Sequence, residues 1–272
     1  MTIQDRISEI KHKVAPIQGW IFDNAGEMLY ELVRFHAPNG TVVELGSWKG
    51  RSTVWFAHAV MDRGEGIVFA VDTWKGTVTE EGHQQLLSGY RDQQLFEEFC
   101  QNIAHAGVSG YVEPIQGDTV EVSGRFPKNR PIGLLFIDAC HDYAAVKQDF
   151  ERWGPMVMDG GYIVFDDVPS WEGPTRLVAE LPPNYKIRFI GHNQCIVKKI
   201  KESDITIADA LQHLYHKEGV AFVTEAYREL LNREPEPSGL HGHLQLLGSG
   251  IPKQAVLSGI LQSSEAAQLY NR

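Results

Sequence analysis

Three aspartates and a histidine lie where a folded chain could bring them together. Asp138 ends the apolar run IGLLFID (132–138), Asp166 and Asp167 end YIVFDD (162–167), and His141 follows three residues after Asp138. If the two runs are adjacent parallel strands, their ends lie about 5 Å apart. Ligands of open α/β sheets bind beyond that carboxyl edge. Three carboxylates so crowded raise one another's pKa unless a cation sits among them. An all-oxygen ligand set suits Mg2+, Mn2+ or Ca2+ rather than Zn2+.

A second constellation lies in TVVELGSWKGRST (41–53), a β-branched strand, a short loop and a helix start. The loop holds only Gly46 and Gly50, so it is not the glycine-rich fingerprint that lets backbone amides approach a pyrophosphate. Asp72 ends the next apolar run, GIVFAVD (66–72). A carboxylate there can accept both ribose hydroxyls of an adenosine, a need that NAD and S-adenosylmethionine share. The loop separates the two. S-adenosylmethionine carries an ammonium and a sulfonium in place of phosphate, and these cations favour the carboxylate of Glu44 and the carbonyls around Gly46.

The elements that must position these groups alternate. Residues 1–35 read as a helical segment, with Asp23 or Asn24 as a helix cap. Strands are expected at 41–45, 66–72, 111–118, 132–138 and 162–167. Helices are expected from about 51, over 92–107 with Gly107 as its closing residue, and over 143–157, after which Gly160-Gly161 turns the chain. Strands with helical crossovers predict a parallel, doubly wound sheet. YKIRFIGHNQCIVKKI (185–200) reads as two strands joined by a polar turn, hence an antiparallel hairpin. The fold class is thus α/β, a Rossmann-like seven-stranded sheet spanning 36–202. Residues 203–272 read as a separate all-α module of three or four short helices, interrupted by Pro235, Pro237, Gly250 and Pro252.

Taken in order, VVELGSWKGRST, VDTWKG, the Gly-Asp at 117–118 and IDACHDY…VKQDFERWGPMVMDGGYIVFDDV resemble the metal-dependent class I O-methyltransferases. The branch most similar acts on sugar hydroxyls of natural products and glycans and has relatives in cephalosporin biosynthesis. The resemblance implies a methyl-donor site of Glu44, Gly46, Ser47, Ser52, Asp72, Thr73, Gly117, Asp118, Thr119 and Asp138, the Gly-Asp lying beside the adenine. It implies a Mg2+ (or Mn2+ or Ca2+) held by Asp138, Asp166 and Asp167. His141 matches the general base of the sugar-modifying members. Other members carry an acidic residue where Cys140 stands here, and a thiol is a poor substitute for it. AYRELLNREPEPSGLHGHLQLLGSG resembles a short bacterial module of unassigned function, for which protein docking is the expected role. Relatives commonly self-associate, so a homo-oligomer is expected.

Composition narrows the partners. Twenty-five basic against 35 acidic residues leave a net charge of −10, which disfavours nucleic acid and anionic membranes. The three cysteines, Cys100, Cys140 and Cys195, form no CxxC, so neither a disulfide framework nor a thiolate zinc site is indicated. There is no apolar run long enough to span a membrane and no signal-peptide core in MTIQDRISEIKHKV, so a cytoplasmic location is expected. The expected function is methylation of a hydroxyl on a small-molecule or glycan acceptor. Three rivals are weighed beside it. An NAD-dependent oxidoreductase or epimerase would need a GxGxxG loop and a Tyr-x-x-x-Lys pair. A non-catalytic binding module would have no need of the carboxylates together with His141, and a metal-dependent hydrolase no need of Asp72. Arg51 and Lys75 read as solvated charges. The tryptophans Trp48, Trp74 and Trp171 read as packing residues, at least one near the cofactor edge. Residues 80–91, with His83, Gln84 and Tyr90, read as a cover over the substrate or a surface excursion.

Overall fold

The computed structural model describes residues 2–76, 81–206 and 211–270. The chain divides into two compact units, Met1–Leu177 with Ile187–Lys199, and Val178–Lys186 with Ile200–Arg272.

The first unit is built on a seven-stranded sheet. Strands β1 (Thr41–Leu45), β2 (Ile67–Asp72), β3 (Val112–Gln116), β4 (Ile132–Ile137) and β5 (Val157–Asp166) run parallel. The hairpin strands β6 (Tyr185–Gly191) and β7 (Gln194–Lys199) close one edge, with β7 antiparallel to β5. The spatial order is β3-β2-β1-β4-β5-β7-β6, a doubly wound parallel sheet closed by an antiparallel hairpin, the class expected from the alternating pattern.

Period-two alternation explains why helices cover both faces. Val68, Ala70, Leu134, Phe136 and Val164 join one apolar cluster with α1 (Ile3–Val14), α2 (Asp23–Glu31) and α3 (Arg51–Arg63). The intervening residues turn the other way. Phe69 meets Phe126 edge-on at 5.1 Å, and Phe165 meets Phe150 of α7 (Tyr143–Trp153) at 5.9 Å.

Several boundaries differ from the sequence reading. The strand expected at 162 starts at Val157, because α7 stops at Trp153 and a 3-10 turn (Gly154–Met156) feeds straight into the sheet. Gly160 and Gly161 lie inside that strand, beside a register shift opposite Ile132 and Leu134, with Gly160 at φ +82°. They form an irregularity, not a turn. Neither Asp23 nor Asn24 caps α2: the N-cap is Phe22, with no side-chain bond, and Asn24 instead bonds the ring of His192 at 2.7 Å. Gly107 does close α5 (Gln94–His105), at φ +75° with its N–H on the Ala104 carbonyl.

In the second unit, helices at Gly219–Leu231, Pro237–Gly248, Lys253–Leu261 and Ser264–Tyr270 enclose their own core of Phe222, Ala226, Leu230, Val256, Leu257 and Ala266. The last two helices are separated at Ser263, whose hydroxyl accepts Ala266 N. The start of the expected helical module falls partly outside the described residues, and a short 3-10 stretch, Gln212–His216, precedes its first long helix. No helix among the described residues is long and apolar enough to cross a membrane.

Helix α1 is tied to α3 by Arg6, which forks onto Asp62 at 2.7 and 3.0 Å and donates to His58 Nδ1 at 3.0 Å. Burial, with the charges of Arg6 and Lys13, pushes the His58 imidazole down to about 4. The native state therefore keeps His58 neutral while the unfolded chain protonates it near its ordinary value of about 6.5. This contribution to stability is complete above pH 6.5 and is lost as pH falls towards 4. Thermal melts of His58→Gln should accordingly show a shallower acid loss over that window, the difference reaching on the order of 2–3 kcal/mol. Parallel pH profiles for the two proteins would exclude His58 as the source.

Candidate active site

At the carboxyl ends of β1 and β4, where the strand order reverses, lies a cavity of about 1060 Å³. That is the crevice in which open α/β sheets bind ligands. Every residue expected in the donor site, the metal site or catalysis lines it except Glu44.

Gly46 shows why the crevice forms. Its φ is +87°, and a Cβ there would lie 2.0 Å from the Asp138 carbonyl oxygen. Only glycine lets the end of β1 approach the end of β4 this closely. Asp138 N in turn donates to the Leu45 carbonyl at 2.8 Å.

Asp72 has a task beyond the one its position suggests. Its Oδ2 accepts the backbone N–H groups of Ser47 and Trp48, each at 2.8 Å, and its Oδ1 accepts that of Trp74 at 2.7 Å. Trp48 and Trp74 both have positive φ, 46° and 51°, a conformation that costs bulky residues energy. The three charge-assisted bonds hold them there, and the Trp74 indole locks the loop further by donating to the Trp48 carbonyl at 2.9 Å. Of the roughly four acceptor positions of a carboxylate, three serve the loop. Asp72 therefore shapes the loop in addition to facing the cavity where the ribose is expected.

Glu44 does not face the cavity. It is fully buried, paired in the sheet between Ala70 and Phe136 on the face that α3 covers, and accepts the Thr53 hydroxyl at 2.5 Å. Burial pushes its carboxyl up to about 7, against the lowering effect of Ser52, Thr53 and Ser47. Its carboxyl thus meets the Thr53 hydroxyl beneath α3 and does not line the cavity. On the far side, Asp118 Oδ1 caps the helix Thr119–Arg125 by accepting Val120 N and Glu121 N. The Thr119 hydroxyl donates to Asp149 Oδ1 at 2.5 Å, and burial raises the Asp149 carboxyl to about 6.

At the β4–β5 end, Asp138, His141 and Asp167 bring ligand atoms within 4.8 Å of one another. His141 Nε2 lies 2.7 Å from Asp167 Oδ2 and 3.9 Å from Asp138 Oδ1. Burial alone would lower the imidazole's pKa, but the two carboxylates outweigh it and hold it at about 11. Asp166, expected in the same cluster, is set deeper. Gln194 Nε2 donates to its Oδ1 at 2.8 Å, while burial and the charge of Asp138 push its carboxyl well above the usual range. The Trp171 ring lies nearly parallel to His141, 4.5 Å away and tilted by 22°.

Sequence reading missed the wall formed by Gly19, Trp20 and Ile21. Arg51 holds it. The guanidinium donates to the carbonyls of Val14, Ile17 and Ile21 and to Asp23, all at 3.0–3.1 Å, so Arg51 is a clamp and not a solvated charge. The Trp48 indole donates to Gln18 Oε1 at 2.6 Å. No local pattern marks these partners, because they meet only when the N-terminal segment folds over the loop. Of the 80–91 stretch, residue 80 and the His83 side chain lie outside the described residues. Gln85 and Leu86 of the helix Glu81–Leu86 line the cavity, and Tyr90 receives Lys49 Nζ at 2.8 Å.

Residues 43–168 match the family model of a methyltransferase domain, and residues 205–270 match a domain of unknown function, DUF4214. Two solved structures share the architecture. The O-methyltransferase TomG of Streptomyces achromogenes, involved in tomaymycin synthesis and solved with SAM, is 15% identical. The match covers 74% of this chain and 91% of TomG, with a TM-score of 0.51. Cofactor-bound Rv0187 from MTB is 16% identical over 74% of this chain and 90% of its own, with a TM-score of 0.50. At such identities the likeness is one of fold. The first unit thus has the fold of these O-methyltransferases, and residues 43–168 within it match a methyltransferase domain.

Asp72→Asn would set an amide N–H2 against backbone donors. It should lower stability by about 2–4 kcal/mol and weaken S-adenosylhomocysteine binding at least tenfold, read by thermal melts and calorimetry. Weakened binding with an unchanged melt would return Asp72 to a purely ligand-contacting role.

Proposed function

We propose that the chain is an S-adenosylmethionine-dependent, divalent-metal-dependent O-methyltransferase acting on a hydroxyl of a sugar, glycan or natural product. The observation that carries this reading is one cavity lined at one end by the Asp72-held loop and at the other by Asp138, His141 and Asp167. A dinucleotide is disfavoured there. The amides of Ser47 and Trp48, which a pyrophosphate would need, are bonded to Asp72.

The donor would rest on Gly46, Ser47 and Ser52 at its amino-acid end and on Asp72, Thr73, Gly117, Asp118 and Thr119 at its adenosine end. The carboxylates suit a hard divalent cation held by Asp138, Asp166 and Asp167. They are crowded enough that burial and Asp138 together raise Asp166, and His141 lies among them as the compensating positive group. Bound S-adenosylmethionine supplies an electrophilic methyl, and a bound cation acidifies the acceptor hydroxyl.

The protein's own part is orientation and proton transfer. Where a cation held by the acids takes over the positive charge, His141 would be free to lose its own proton. Its Nε2 would then take the hydroxyl proton as the oxygen bonds to the methyl carbon and the carbon–sulfur pair stays on sulfur, leaving S-adenosylhomocysteine. Trp171, by stacking on the imidazole, limits its rotation. The indole faces of Trp20 and Trp171, 57% and 45% exposed, give an acceptor ring apolar surfaces beside the polar cluster, as sugar rings and planar natural products both require. The module at 205–270 has its own apolar core, and its described residues hold no cluster of metal-ligating side chains. Docking suits it better than a second chemistry.

Calorimetric titration with S-adenosylhomocysteine and with NAD, each with and without Mg2+, should give heat for the first alone; absence of that heat overturns the proposal. His141→Ala should retain S-adenosylhomocysteine affinity within about threefold and lose on the order of 10²-fold or more in methyl transfer. Undiminished turnover would remove His141 as the base.

A further inference from the structure

Asp166 and Asp167 are consecutive but differently surrounded. Asp166 is the last residue of β5, whereas Asp167 follows it at φ 59°, in the left-handed region. The antiparallel partner strand meets both. Asp166 is in register with Gln194, and Val168 N donates to the Asn193 carbonyl at 3.1 Å. Two neighbouring side-chain amides thereby face two neighbouring acids. Gln194 Nε2 donates to Asp166 Oδ1 at 2.8 Å, and Asn193 Nδ2 donates to Asp167 Oδ1 at 2.5 Å.

The orientation of the Asn193 amide is itself held. The Ser170 hydroxyl donates to Asn193 Oδ1, which turns the N–H2 group towards Asp167. Asn193 has φ 63°, a conformation asparagine tolerates. Gln194 is fully buried. Each acid so has one oxygen bound to a neutral amide, and the second oxygen of Asp167 is the one that meets His141. A lysine or arginine at 193 or 194 would cancel the negative charge that attracts a cation. An amide fixes the carboxylate and leaves that charge in place.

We infer that Asn193 and Gln194 are positioning residues of the cation site, each holding Oδ1 of its acid so that the opposite oxygen is presented to the ion. The inference rests on the metal-dependent reading above. It names residues about 27 positions beyond the acids, in a turn that sequence reading treated only as a hairpin connection.

The test is Mn2+ binding to the full chain with S-adenosylhomocysteine present, read from the free-Mn2+ paramagnetic resonance signal. Asn193→Gly keeps the left-handed backbone and removes the amide, and Gln194→Met keeps the length without the donor. Each should weaken Mn2+ about 10–100-fold. Asn232→Gly, the same exchange at another left-handed asparagine (φ 53°) at the end of a module helix, should leave Mn2+ affinity unchanged. A purely structural role for the pair would lower melting temperatures and leave Mn2+ affinity within twofold of wild type, which overturns the inference alone. Absence of Mn2+ binding by the wild type overturns the metal-dependent reading and the inference with it.

Discussion

Repulsion among carboxylates is the constraint around which the β4–β5 end of the cavity is arranged. Parallel neighbours β4 and β5 must deliver Asp138, Asp166 and Asp167 to one edge, and like charges a few ångströms apart in a partly buried site raise one another's pKa. The structure meets this with three kinds of group. His141 brings positive charge against Asp138 and Asp167, Gln194 and Asn193 bring neutral donors, and Asp166 lies deep in the sheet, where burial and Asp138 raise its carboxyl well above the usual range. Each compensation is only as good as the placement of its partner. The hairpin turn, the helix following β4 and Trp171 are therefore bound to one small volume.

The end of the cavity at β1 and β2 obeys a related rule with the opposite outcome. One carboxylate, Asp72, is shared among three backbone amides and uses its charge to stabilise a loop that bulky residues would otherwise avoid. The tryptophans in the loop then have work of their own. Trp74 closes the loop internally, and Trp48 reaches the N-terminal segment that Arg51 fastens down. A glycine-rich loop would approach a phosphate more closely but could not anchor this wall.

Much of this was legible beforehand. Asp138, Asp166 and Asp167 could be read from their places at the ends of apolar runs, because strand polarity alone brings such ends to a common edge. Asp72 was found by the same logic, yet its partners were not, since the amides of Ser47 and Trp48 turn towards it only once the loop has closed. Glu44, expected beside the donor, does not line the cavity, for a simple reason. It is one residue short of the strand's end, and the alternation of side chains sends it to the face under α3 rather than to the crevice.

The sequence by itself determined the order of strands and helices, the terminal hairpin, the helical module and the residue types available for chemistry. These follow from local periodicity and from turn residues, which act over a few positions. Only the tertiary structure decided which oxygen of which carboxylate is spoken for. That depends on meetings between residues far apart in the chain, Asn193 with Asp167, Arg51 with Val14 and Ile17, Trp48 with Gln18. No local pattern encodes them, because each is set by how whole elements pack and by where a left-handed residue redirects the backbone.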